Sequence, residues 1–103
     1  MIRHFVFLRF PKDMPATQKQ TLFGRLSALQ TQLDGIVDFC HRPNISPETP
    51  VIHGFSDMFW VDFTDAAARD RYLSDPGHRA VGADLVASVT GGTDGIFVCD
   101  IKL

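Results

Sequence analysis

The sequence predicts an α+β domain in which helices cover one face of a four-stranded antiparallel sheet. Apolar residues alternate with a period of two in four segments, and they recur with the period of a helix in two others. A chain of 103 residues can bury one hydrophobic core but not two. We therefore expect a single domain that spans residues 1–103.

The first strand is predicted from Ile2 to Phe10, and the first helix begins near Pro15. β-Branched and aromatic residues fill the strand, which ends before Pro11. Gly35 is a plausible C-terminal stop for the helix. Leucines recur at helical spacing along one stripe of that helix, at Leu22, Leu26, Leu29 and Leu33.

A second strand is predicted over Ile36–His41 and a third over Phe55–Phe63. The stretch between them, Pro43–Gly54, contains three prolines and is interpreted as a long loop. Side chains alternate between the two faces of a strand. One face of the third strand therefore carries Phe55, Asp57, Phe59, Val61 and Phe63, and the other carries Met58 and Trp60.

Two consecutive helical stretches, which together form the second helical element, and a last strand complete the predicted order. Asp65 or Thr64 can cap a helix over residues 66–73, and a second helical stretch follows Asp75-Pro76-Gly77-His78. The final strand is predicted over Gly95–Leu103. The order strand, helix, strand, strand, helix, strand is that of the ferredoxin-like βαββαβ fold, whose helices lie on one face of an antiparallel sheet.

The face of the sheet that the helices leave open is also apolar. It carries Phe5 and Phe7 from the first strand and Met58 and Trp60 from the third. A monomer rarely leaves such a patch in water. We therefore expect a homodimer in which a second copy covers this face.

Composition and charge argue against several classes of partner. Ten Lys and Arg oppose 12 Asp and Glu, for a formal net charge of −2, so neither nucleic acid nor an anionic membrane is an expected partner. No apolar run is long enough to cross a bilayer, and the N-terminus lacks the layout of a signal peptide. These features predict a cytoplasmic protein.

Neither a metal nor a cofactor is expected. The four histidines do not form His-x-x-x-His or Glu-x-x-His pairs, and the glycine-rich segment at residues 91–95 follows a helix instead of preceding one. Cys40 and Cys99 fall on the two opposite edges of the predicted sheet, beyond the reach of a disulfide. They are interpreted as small buried residues or idle thiols.

Three segments resemble the stress-responsive dimeric α/β-barrel (Dabb) family. They are the opening strand from His4 to Phe10, the stretch 54–65, and Tyr72–His78 with its Tyr-x-x-x-Pro-x-His spacing. The resemblance covers almost the whole chain. It implies two ferredoxin-like subunits joined through their open sheet faces into a barrel.

The resemblance also implies an activity and its residues. A plant polyketide cyclase of this family performs an intramolecular aldol condensation without a cofactor. Its catalytic base falls at His78, the tyrosine that partners the base at Tyr72, and a pocket histidine at His4. A second pocket histidine of that enzyme falls at Asp57, so the same substrate cannot be assumed.

These residue types suit the removal of a proton next to a carbonyl group. An imidazole with a pKa of about 6.5 can accept a proton at neutral pH. The hydroxyl of Tyr72 could hydrogen-bond to an oxygen that becomes an enolate. We hypothesise that Asp57 holds His78 or His4 in one tautomer.

Each of these residues also has a structural interpretation. His4 can equally be a hydrogen-bonded core histidine, Tyr72 a core aromatic, and Asp57 the partner of a buried donor. The sequence leaves both interpretations open.

The function predicted from the sequence centres on a small apolar cavity between the helices and the sheet of each subunit. Its polar groups are His4, Asp57, Tyr72 and His78, and its expected apolar lining is Phe23, Leu26, Phe59 and Val81. A small apolar or aromatic carbonyl compound is the expected ligand. One candidate function is a cofactor-independent lyase or cyclase with His78 as base and Tyr72 as oxyanion donor. The alternatives are a non-catalytic binding module and a cofactor-free monooxygenase.

Overall fold

The computed structural model describes all 103 residues and contains four strands and four helices. The strands are β1 (Ile2–Leu8), β2 (Ile36–Pro43), β3 (Asp57–Phe63) and β4 (Ile96–Lys102). The helices are α1 (Ala16–Ala28), α2 (Thr49–Ile52), α3 (Ala66–Ser74) and α4 (Pro76–Ser88). None of these helices is both long and apolar enough to cross a membrane.

The four strands form one antiparallel sheet in the order β2-β3-β1-β4. This is the predicted ferredoxin-like arrangement, with β1 and β3 in the centre. His4 of β1 lies opposite Val61 of β3 on one side and opposite Asp100 of β4 on the other. The register therefore places a histidine between an apolar and an acidic neighbour.

The hydrophobic core lies between the sheet and the helices. Alternation puts the even-numbered residues of β1 and the odd-numbered residues of β3 on the helix side. The core consists of 15 buried residues: Val6, Leu8, Phe10, Leu22, Phe23, Leu26, Leu29, Phe59, Val61, Phe63, Ala68, Tyr72, Val81, Leu85 and Val89.

Several element boundaries differ from the prediction. β1 ends at Leu8 instead of Phe10, because both neighbouring strands begin opposite Leu8, β3 at Asp57 and β4 at Ile96. The predicted loop 43–54 contains the short helix α2. β3 begins at Asp57, because the backbone N–H of Phe55 donates instead to the carbonyl of Ile52 at the end of α2.

Gly35 does not end α1 directly. The helix ends at Ala28 and continues as a 3-10 turn over Leu29–Thr31. Gly35 adopts a φ of +89°, and a Cβ at this position would lie 2.5 Å from the Cβ of Ala68. Glycine is needed here because the chain both takes a left-handed conformation and passes close to α3.

The open face of the sheet carries a continuous aromatic surface. The ring of Phe5 lies 6.0 Å from that of Phe7 and 5.9 Å from that of Trp60, and Phe7 lies 5.8 Å from Phe97. Phe97 is 55% exposed in the single subunit. We name this surface, formed by Phe5, Phe7, Met58, Trp60 and Phe97, the aromatic face.

The two cysteines form no disulfide, as predicted, but both are half-buried and neither is a fully buried residue. Cys40 lies on β2 and Cys99 on β4, at opposite edges of the sheet.

Candidate active site

Three of the four predicted polar site residues lie together under the helices. His4 comes from β1, Tyr72 from α3 and His78 from α4. The ring centroids of Tyr72 and His78 are 4.1 Å apart, and those of His4 and Tyr72 are 6.1 Å apart. His4 is 4% exposed and Tyr72 only 1% exposed, whereas His78 is half-buried, so the cluster extends from the core towards the surface at His78.

The Tyr-x-x-x-Pro-x-His run forms the corner between α3 and α4. The backbone N–H of Asp75 donates to the carbonyl of Tyr72 at 3.2 Å, which closes the end of α3. The side chain of Asp75 then accepts from the backbone N–H of His78 at 3.0 Å and caps α4, with Pro76 at its first position. These local bonds bring the two rings to adjacent positions, one on each helix.

Two polar atoms of the cluster lack a hydrogen-bond partner in the protein. They are the hydroxyl oxygen of Tyr72 and Nδ1 of His78, and both are buried. A buried polar group without a partner costs about 1–3 kcal/mol, and such groups are rare in folded proteins. The two atoms are therefore free to hydrogen-bond to a molecule that enters the cluster.

Burial determines the charge state of both groups. It raises the pKa of Tyr72, so the phenol stays protonated and can donate. The pKa of His78 is lowered below its ordinary value of 6.5, first by burial and then by the charge of His4, against smaller opposing effects from the Leu73 backbone and Asp75. At neutral pH the imidazole of His78 is therefore uncharged and can accept a proton.

The lowered pKa of His78 predicts a pH dependence of stability. The unfolded chain takes up a proton near about pH 6.5, whereas folded His78 binds it only at lower pH, so the free energy of unfolding falls as the pH drops through this window. At higher pH, where His78 is uncharged in both the folded and the unfolded chain, it does not make the free energy of unfolding depend on pH. We expect His78→Asn to flatten the dependence of the urea midpoint on pH between about 7.5 and 5.5. An unchanged slope would contradict the burial of an uncharged imidazole.

The hypothesis that Asp57 orients a histidine is wrong. Asp57 lies opposite Leu8, four residues along β3 from Val61 and so about 13 Å from the neighbourhood of His4. Its carboxylate accepts instead from Lys19 Nζ at 2.9 Å and from the hydroxyl of Ser56 at 2.7 Å. It is the buried ion-pair partner that the structural interpretation described.

The carboxylate that contacts a cluster histidine belongs to Asp100. Its Oδ1 lies 2.6 Å from Nδ1 of His4. Asp100 was not predicted as a site residue, although its position as a lone carboxylate in the apolar last strand was a signal. Once β4 is placed beside β1, the antiparallel register brings Asp100 to His4.

The apolar residues predicted to line the cavity are packed core residues. Phe23, Leu26, Phe59 and Val81 are each 2–4% exposed, and the rings of Phe23 and Phe59 meet edge to face at 6.3 Å. Their contact with a ligand stays a prediction.

The three main clefts on the surface of the subunit have volumes of about 500, 410 and 360 Å³. None of the three is lined by His4, Tyr72 or His78. The largest passes along Asp100 and Arg69, which places it next to the cluster on the β4 side. No group of three or more His, Cys, Asp or Glu side chains is arranged to hold a metal ion.

The fold and the cluster define a ferredoxin-like domain with an aromatic open face and a buried histidine–tyrosine site. Residues 2–103 match the family described as Stress Responsive A/B Barrel Domain. The chain belongs to this family, which confirms the resemblance drawn from its sequence.

Solved structures share the fold over the whole chain. A dimeric ferredoxin-like protein of unknown function from Jannaschia sp. CCS1 is 32% identical, with a TM-score of 0.87 over 99% of this chain and 98% of its own. The protein At3g17210 from Arabidopsis thaliana is 17% identical, with a TM-score of 0.86 and coverages of 100% and 95%. The hydroxynitrile lyase from Passiflora edulis is 16% identical, with a TM-score of 0.81 and coverages of 99% and 92%. No match was found among curated proteins.

Proposed function

We propose that this protein is a homodimeric, cofactor-independent lyase or cyclase. It removes an acidic C–H proton from a small apolar or aromatic carbonyl compound, with His78 as the base and Tyr72 as the donor to the oxyanion. The proposal rests on two buried atoms that lack hydrogen-bond partners, Oη of Tyr72 and Nδ1 of His78. The centroids of their two rings lie 4.1 Å apart.

The chemistry follows from the protonation states of the two groups. The lone pair of His78 Nδ1 accepts the proton as the C–H bond breaks, and the electron pair moves onto the carbonyl oxygen. The hydroxyl of Tyr72 donates a hydrogen bond to that oxygen as it becomes an enolate. The enolate can then attack a second carbonyl or expel a leaving group, after which His78 returns the proton.

The surroundings of the pair favour a substrate with an apolar body. Phe63 packs against Tyr72 with centroids 5.1 Å apart, and Val81 and Leu85 are buried on the same helix as His78. In an apolar interior a single hydrogen bond to a developing oxyanion is stronger than in water. A compound with one carbonyl group and an aromatic or alkyl portion matches this environment.

The proposed dimer joins two copies through the aromatic face. Phe97 at 55% and Ile101 at 42% are exposed on the open side of β4 beside the rings of β1. An apolar surface of this kind is best covered by a self-complementary copy. The similar protein from Jannaschia sp. CCS1 is described as dimeric, which supports the same assembly here.

Hydrogen–deuterium exchange tests the proposed proton abstraction directly. The probe is phenylacetone, whose benzylic protons exchange slowly on their own, followed by proton NMR in D₂O with catalytic amounts of the protein. The proposal expects exchange above the buffer rate that is saturable in phenylacetone. Exchange at the buffer rate across a series of small aryl and alkyl ketones would contradict it.

The alternative is a non-catalytic binding module. The unpartnered hydroxyl of Tyr72 and Nδ1 of His78 would then only orient a ligand by hydrogen bonds. In that case small ketones shift the NMR signals of the Tyr72 and His78 rings without exchanging protons. A cofactor-free monooxygenase, the third candidate, would instead yield products that carry oxygen from ¹⁸O₂.

A further inference from the structure

His4 is joined to two charged groups that the proposed chemistry does not use. Its Nδ1 lies 2.6 Å from Oδ1 of Asp100, and the second oxygen of that carboxylate accepts from Nη1 of Arg69 at 3.2 Å. Arg69 also binds Asp70 through Nε and Nη2, both at 3.1 Å. All three guanidinium nitrogens of Arg69 therefore donate hydrogen bonds, two to Asp70 and one to Asp100.

This arrangement decides which nitrogen of His4 carries the proton. Arg69 can only donate, so Asp100 must accept at the oxygen that faces it. An ionised carboxylate is an acceptor at both oxygens, so Nδ1 of His4 donates its proton to Asp100. In the uncharged imidazole, Nε2 is then left without a proton and acts as an acceptor.

The elements involved place the imidazole ring of His4 inside the cluster. His4 lies on β1 on the helix side of the sheet, and its ring meets Tyr72 edge to face at 6.1 Å. Arg69 and Tyr72 are three residues apart on α3, so one face of this helix contacts both Asp100 and the cluster. The same contacts tie α3 to the edge strand β4.

We propose that Asp100, fixed by Arg69, is a positioning residue that locks His4 in its Nδ1–H tautomer and so gives the cluster a second basic nitrogen beside His78. This inference rests on the proposed function for its catalytic consequence, but its structural consequence can be measured without turnover. Asp100 itself does not touch the substrate. It acts through His4, as a carboxylate does behind a metal-bound or catalytic histidine.

Asp100→Asn is the informative substitution because Arg69 determines how the amide is oriented. The amide oxygen must face Arg69, since two donors cannot pair. The amide NH₂ therefore faces Nδ1 of His4 and can only donate to it. The variant should drive His4 into the opposite tautomer, with its proton on Nε2, at almost unchanged side-chain volume.

Long-range ¹H–¹⁵N NMR spectra report the tautomer of His4. We expect a protonated Nδ1 and an unprotonated Nε2 in the wild type, and the reverse in Asp100→Asn. Asp70→Asn is the matched control, because Asp70 contacts Arg69 but not His4; it should keep the wild-type tautomer. A wild-type His4 protonated on Nε2, or an unchanged tautomer in Asp100→Asn, would overturn the inference.

Turnover gives the second measurement. With phenylacetone as probe, Asp100→Asn should lower kcat by about 10–100-fold and leave KM nearly unchanged. In Asp70→Asn, both kcat and KM should keep their wild-type values. Equal kcat values for Asp100→Asn and wild type would overturn the positioning role. If the wild type itself catalyses no exchange, the proposed function fails, and the NMR result alone then decides whether Asp100 sets the tautomer.

Discussion

Replacing His78 with asparagine should lower the exchange rate of phenylacetone protons by roughly 10²–10⁴-fold, because a positioned general base contributes about that much to proton transfer. Asparagine keeps polar atoms at the start of α4 but has no lone pair of comparable basicity. The backbone cap from Asp75 to the N–H of residue 78 does not depend on the side chain, so the helix corner should persist.

His53→Asn is the matched control for this substitution. His53 is exposed in the turn after α2 and has a φ of +52°, a conformation that asparagine tolerates well. The His53→Asn variant should catalyse the exchange of phenylacetone protons at the wild-type rate. If the His78→Asn variant catalysed this exchange as fast as the His53→Asn variant, the assignment of His78 as the base would be incorrect.

Phe97→Glu should convert the dimer into monomers at micromolar concentration. Twofold symmetry introduces the change twice, and each copy replaces an apolar ring with a carboxylate that must be kept in water. A loss of roughly 3–6 kcal/mol per dimer would raise the dissociation constant by about 10²–10⁴-fold. Phe97 is already 55% exposed in the single subunit, so the subunit itself should remain folded.

The neighbouring residue provides a control on the opposite side of the same strand. Val98 is 51% exposed but lies opposite Val6, on the helix side of β4. Val98→Glu should therefore stay dimeric by sedimentation velocity, while Phe97→Glu sediments as a monomer. Dimers in both variants would place the subunit contact elsewhere.

The periodicity of apolar residues was sufficient to predict the fold, because the two faces of the sheet and the stripe of α1 depend only on spacing. The short helix α2 was missed since four residues that include a proline carry no period. The end of β1 was misplaced because Phe10 is as buried as a strand residue, although neither neighbouring strand extends beyond the position opposite Leu8.

The site was predicted only in part. Tyr72 and His78 are close in sequence, and the helix corner at Pro76 brings them together by local bonds. The partner of His4 depends on the register between strands at the two ends of the chain. Asp57 was assigned from its strand face alone, but its distance along β3 separates it from the cluster.

The packing of side chains limited the prediction of the cavity. Phe23 and Phe59 were expected to line one cavity with the polar cluster, whereas their rings contact each other in the core and Phe23 borders a separate cleft beside β2. Rotamers and ring contacts of this kind follow from the volumes of all neighbours together. The pattern of apolar residues fixes which residues face inward but not how much space remains between them.

The most direct test of the account is the substitution of Tyr72 by phenylalanine, measured for both stability and exchange. Removing a hydroxyl that is buried without a partner should raise the free energy of unfolding by about 1–3 kcal/mol, while losing the oxyanion donor should slow proton exchange by roughly 10²–10³-fold. A variant that is less stable than the wild type and equally active would contradict the claim that this hydroxyl is held ready for a ligand.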